Sequence, residues 1–128
     1  MPAQPPNTSL SEIANILLDE NSSRRCLHQA LDNFANLCSQ ITDIVPDPTY
    51  SAWAEDSFLE NGVAINPQAA AHCIKDYQRS IVFIRGVYAA LTHIQKTPDN
   101  TSIRILYAGC GPFATLLLPI LGKFHNDD

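Results

Sequence analysis

The sequence predicts a mostly α chain: an N-terminal helical bundle over residues 9–97, followed by a single strand–turn–helix unit over 98–128. Three observations predict it. Apolar residues recur at three- and four-residue steps along most of the chain before residue 97, the spacing of one helical face. Capping residues and prolines interrupt that pattern where helices would start and stop. Finally, the apolar run Ile103-Arg104-Ile105-Leu106-Tyr107 leads into Gly109-Cys110-Gly111 and a second apolar segment from Phe113, the order of a buried strand, a glycine turn and a helix start.

Residues 1–8 hold three prolines and little to bury, so they are expected to be a disordered lead-in. Ser9 and Glu12 have capping-box spacing ahead of Leu10, Ile13, Ile16 and Leu17, predicting a short helix to about Asp19. Asn21-Ser22-Ser23 breaks it and caps a second helix over about 23–44, with Leu27, Leu31, Phe34, Cys38 and Ile41 on its inner face. Pro46-Asp47-Pro48 ends that helix, and Asp47 followed by Pro48 reads as the cap of a third, burying Tyr50, Trp53, Ala54 and Phe58. Asn61-Gly62 closes the third helix. Asn66-Pro67 caps the longest, whose stripe from Ala70 through Ile74, Tyr77, Ile81, Ile84, Tyr88 and Leu91 runs unbroken to about residue 96. The segment 97–100 links it to the strand Ile103–Tyr107, and Pro119 is expected to kink or break the helix after the glycines.

With 45% hydrophobic and 16% charged residues the 128-residue chain is not intrinsically disordered as a whole. A net charge of −5, with no basic cluster beyond Arg24-Arg25, excludes a nucleic-acid face. No apolar run approaches the ~18 residues of a membrane span and no signal segment opens the chain, so a cytoplasmic protein with neither membrane nor nucleic-acid partners is expected. Cys26, Cys38, Cys73 and Cys110 show no paired spacing, which predicts free thiols rather than a disulfide framework. His28, His72, His93 and His125 are scattered, and no metal site is expected. The three N-x-S sequons at Asn7, Asn21 and Asn100 read as turn and cap chemistry.

Gly109-Cys110-Gly111-Pro112-Phe113-Ala114 fits the loose G-x-G-x-x-G/A pattern, in which glycines let backbone N–H groups approach a nucleotide-like ligand. In its setting of Ile105-Leu106-Tyr107-Ala108 it resembles the first motif of the class I S-adenosylmethionine-dependent methyltransferases, with Tyr107 where that family usually has an acid and Phe113 where it often has a third glycine. Upstream, Asp76-Tyr77-Gln78-Arg79-Ser80 is similar to the D-x-x-R-[TS] segment of protein arginine methyltransferases and their relatives. The resemblance covers roughly residues 60–121. It implies the start of a Rossmann-like domain that binds S-adenosylmethionine weakly through Arg79, Tyr107, Ala108, Gly109, Cys110 and Gly111, with Arg79 on the cofactor's carboxylate. It also implies that a ribose-binding acid and the acceptor site lie beyond residue 128, so the domain is truncated and this chain alone is not expected to be a catalytic transferase.

Read without the resemblance, Asp76 and Arg79 are an i,i+3 surface pair, Cys110 is a small residue tolerated in a tight loop, and Trp53 with Tyr50 and Phe58 is a core stripe. The competing expectation is a non-catalytic helical interaction module with a vestigial glycine turn. Such a module would form a homodimer through the unpaired strand Ile103–Tyr107 or through the apolar face Leu116-Leu117-Leu118-Ile120-Leu121. A lesser alternative is the start of a nicotinamide-dinucleotide site, which Gly109, Gly111 and Ala114 permit.

Overall fold

The computed structural model describes residues 8–47, 57–98 and 102–125. Helix α1, Leu10–Leu18, begins as its sequence dictates: the Ser9 side chain accepts from the Glu12 N–H while the Glu12 carboxylate accepts from the Ser9 N–H, closing a capping box. Helix α2, Arg24–Thr42, is capped by Ser23, whose hydroxyl accepts from the Cys26 N–H. It ends at Asp43, which takes a left-handed conformation at φ 58°, a conformation Asp tolerates better than most residues. The third helix expected after Pro48 falls mostly on residues 48–56, outside those described, as do Tyr50, Trp53 and Ala54. Where its end was expected, a two-stranded antiparallel hairpin stands instead, β1 (Ser57–Leu59) and β2 (Gly62–Ala64), with Phe58 opposite Val63. The hairpin loop is Glu60-Asn61, and Gly62 opens β2 opposite Leu59.

The expected long helix is divided. Helix α3, Pro67–His72, is capped by the buried Asn66, whose side-chain oxygen accepts from the N–H groups of Gln68 and Ala69. A 3-10 turn follows at Cys73–Lys75. Asp76 then leaves helical geometry (ψ 72°) and caps α4, Tyr77–Gln95, by accepting from the Arg79 N–H at 3.3 Å.

The fold class expected for residues 98–128 is overturned. The chain is mostly α, as expected for its first part, but no Rossmann-like strand–turn–helix unit is present among the described residues. Ile103–Tyr107 is irregular and joins no ladder among the described residues, and a strand exists only through its partner's hydrogen bonds. After the glycines come turns through Leu117 and a 3-10 helix, Leu118–Phe124. Ala114 at φ 44° is incompatible with a right-handed first turn, and Pro119 lacks the N–H that an α-helical bond would need.

One core holds these pieces together. Ile13 and Leu17 of α1, Leu31 and Phe34 of α2, Ile74, Ile84 of α4, and Ile120 are all fully buried. Although only nine residues long, α1 packs against α2, α4 and the C-terminal 3-10 helix. Arg85 of α4 fastens it by donating from Nε to Leu17 O at 2.8 Å and from a terminal nitrogen to Asp19 O at 3.0 Å, pairing carbonyls that a helix C-terminus leaves open. At the far end, Lys123 donates to Asn15 and the Phe124 ring lies 5.4 Å from that of Tyr88.

Candidate functional site

Two structural devices position the residues singled out by sequence. The first fixes the junction before α4. Asp32 of α2 accepts on Oδ1 from Lys75 Nζ at 2.6 Å and from the Tyr77 hydroxyl at 2.8 Å. The Tyr77 ring stacks on His28, with centroids 4.2 Å apart and planes 16° from parallel. Burial alone would lower the Lys75 pKa, but the hydrogen bond and charge of Asp32 outweigh it and raise it. Tyr77 is raised by burial first and by Asp32 second. Both groups therefore hold their protons above their usual ranges, and the clamp is intact at neutral pH. It sets the first turn of α4, which carries Arg79.

The second device is the glycine bend. Gly109 and Gly111 are both left-handed at φ 65°, a conformation that costs residues with a Cβ about 1–2 kcal/mol. Phe113, 98% buried from solvent, anchors the bend in the core, and Ile103 packs beneath its approach. A Cβ on Gly109 would meet nothing within 4 Å, whereas one on Gly111 would lie 3.9 Å from the Ala70 methyl of α3. The bend is thus seated against α3 on one side and open above Gly109. Gly109, Cys110 and Gly111 lie in an exposed loop, with residues 108 and 109 in a tight turn. The Cys110 thiol donates to Gly111 O at 3.3 Å.

Between these devices lies a cleft of about 420 Å³, within the ~300–1,000 Å³ usual for small-molecule sites. Arg79 from α4, Tyr107, and Gly109, Cys110 and Gly111 from the bend all line it, together with Ile65, Cys73, Ser80, Phe83 and Thr115. Ala108 is exposed and does not line it. Five of the six residues expected to contact a cofactor are thus brought to one cavity, although some thirty positions separate Arg79 from Gly109. Phe83, Ile65 and Thr115 were not anticipated; Phe83 could have been found as the residue one helical turn beyond Arg79.

Arg79 is the only charged residue among the described ones lining the cleft. Its Nε lies 3.5 Å from Asp76 Oδ2, and both side chains are more than half exposed, a contact worth little in water. The surface-pair reading of Asp76 and Arg79 is therefore correct, and Arg79 also lines the cleft. The remaining lining is largely apolar, so a carboxylate or phosphate entering it would find one cation beside the glycine bend.

Elsewhere, a depression of about 500 Å³ lies beside Ala35, Ser39, Gln40, Pro46 and Lys75, where Lys75 is already paired with Asp32. The four cysteines are free, with Cys38 buried and its pKa raised by that burial. Among the described residues no group of three or more His, Cys, Asp or Glu is placed to hold a metal, and no helix is long and apolar enough to cross a membrane. Comparison with protein-family models, with curated proteins and with solved structures finds no match to this chain.

Proposed function

We propose that the cleft between α3, α4 and the glycine bend binds S-adenosylmethionine, and that the chain is the cofactor-binding part of an S-adenosylmethionine-dependent methyltransferase. The observation that carries this reading is the convergence of Arg79 with Gly109–Gly111 on one cavity. These two motifs are distant in sequence, and each by itself has an ordinary structural explanation. The residues fit the ligand in kind. The Arg79 fork presents parallel N–H donors to an amino-acid carboxylate. The bend leaves open space above Gly109, and the remaining walls are largely apolar. Bound there, the cofactor supplies an electrophilic methyl carbon on a sulfonium. The chain's own contribution is to bind and orient, which is most of what such a transfer requires. Among the described residues the cleft lining contains no carboxylate, so the reading is one of cofactor binding, with the methyl acceptor handled elsewhere. Four free cysteines fit a reducing, cytoplasmic setting.

Titration calorimetry with S-adenosylhomocysteine tests the proposal. Saturable binding that Arg79→Ala weakens at least tenfold and Gly109→Leu abolishes supports it, whereas no heat above dilution at millimolar ligand rejects it.

A second reading rests on a separate observation. Ile105 and Leu106 are 45% and 92% exposed on a segment whose backbone is unpaired among the described residues, a template for strand pairing between two copies. The C-terminal face gives less support for a homodimer, because Ile120 is fully buried and Leu116–Leu118 are half-buried against the core. Light scattering distinguishes the two surfaces: Leu106→Lys should yield a monomer if the strand edge pairs.

A further inference from the structure

Phe83 is a large apolar residue left 53% exposed on α4, and it faces the same cleft as Arg79. The two are four positions apart on one continuous helix, which places their Cβ atoms about 5–6 Å apart on one face. Helical aromatic side chains lean back toward the N-terminus, so the ring of Phe83 leans toward the turn that carries Arg79. Resting on the reading of this cleft as an S-adenosylmethionine site, we propose that Phe83 selects the cationic cofactor over its neutral product by presenting its ring to the sulfonium.

The argument is one of length and charge. In the ligand's amino-acid arm four bonds separate the carboxylate carbon from the sulfur, comparable with the ~5.4 Å pitch of one helical turn. With the carboxylate on the Arg79 fork, the sulfur comes level with the residue one turn on, which is Phe83. A sulfonium there is a cation beside the negative face of a half-exposed aromatic ring, a contact worth about 0.5–1 kcal/mol. S-adenosylhomocysteine carries a neutral thioether at the same point and gains only apolar contact. Arg79, the one charged residue lining the cleft among those described, is occupied by the carboxylate. Of the two aromatic rings lining the cleft, Phe83 and Tyr107, Phe83 is the one on the helical face of Arg79, and its ring distinguishes the two ligands, favouring release of product after transfer.

The test is calorimetric titration of the whole chain, native and substituted, with S-adenosylmethionine and S-adenosylhomocysteine separately. Because Phe83 is half exposed, substitution should leave the fold intact, which circular dichroism checks. Phe83→Leu is expected to weaken S-adenosylmethionine binding by about three- to fivefold while S-adenosylhomocysteine stays within about 1.5-fold, and Phe83→Trp to restore the preference. Equal loss for both ligands, or no loss for either, overturns the role of Phe83 while leaving the cleft as the cofactor site. Failure of the native chain to bind either ligand overturns both.

Discussion

Gly109 and Ala114 bracket the glycine bend in the same left-handed region of backbone space, at φ 65° and 44°, so substitutions at the two should act with opposite signs. Gly109→Ala introduces a Cβ into a conformation that disfavours it by about 1–2 kcal/mol. No steric penalty adds to this, because nothing lies within 4 Å of that Cβ. Restriction of the unfolded chain returns about 0.4–1 kcal/mol, which leaves a net loss near 1 kcal/mol. Ala114→Gly relieves strain of the same size, gives back the same unfolded-state entropy and loses a half-buried methyl, for a net change between about zero and 1 kcal/mol of stabilisation. The two variants should therefore differ by ~1–2 kcal/mol in urea unfolding, with m-values essentially unchanged because at most one half-buried methyl of surface is altered. A neutral Gly109→Ala together with an Ala114→Gly that destabilises by more than 1 kcal/mol would refute the reasoning, since that pattern requires a right-handed bend. Gly109→Ala should also leave most ligand affinity in place, whereas Gly109→Leu, whose branch extends over the open side of the bend, should remove it.

Phe113→Ala deletes a ring that is only 2% exposed and should cost about 3–5 kcal/mol, read by urea unfolding; a cost below 1 kcal/mol would mean that the bend is not anchored in the core. The Asp32 clamp gives a pH signature. Folded-state pKa values of Lys75 and Tyr77 are raised, so their contribution is complete below the unfolded values near ~10 and is lost as pH rises through the folded ones. Urea midpoints should fall above about pH 10 in the native chain and less steeply in Asp32→Asn, and equal slopes would exclude the clamp.

Local signals in this sequence were legible and non-local ones were not. Ser9 with Glu12, Ser23, and Asn66 before Pro67 all cap helices as their spacing predicts, because a cap is satisfied within three residues. The break at Asp76 was missed because Ile74, Tyr77 and Ile81 keep a helical step across it, and periodicity does not register a change of axis. Asn61-Gly62 marks a chain reversal, but local sequence does not say whether a helix or a strand precedes it, and the structure has the hairpin loop at Glu60-Asn61. The strand expected at Ile103–Tyr107 shows the limit most clearly: its residues suit a strand, but pairing depends on a partner that no described segment supplies. At the site, Arg79 and the glycines were found through motif spacing, whereas Phe83, Ile65 and Thr115 reach the cleft only through the packing of α3 and α4 against the bend.

Amide hydrogen exchange with and without S-adenosylhomocysteine addresses the shared cleft most directly. Ligand should slow exchange at Gly109–Phe113 and across the first turns of α4 while leaving α2 unchanged. Protection confined to α2, or no change at the bend under saturating ligand, would contradict it.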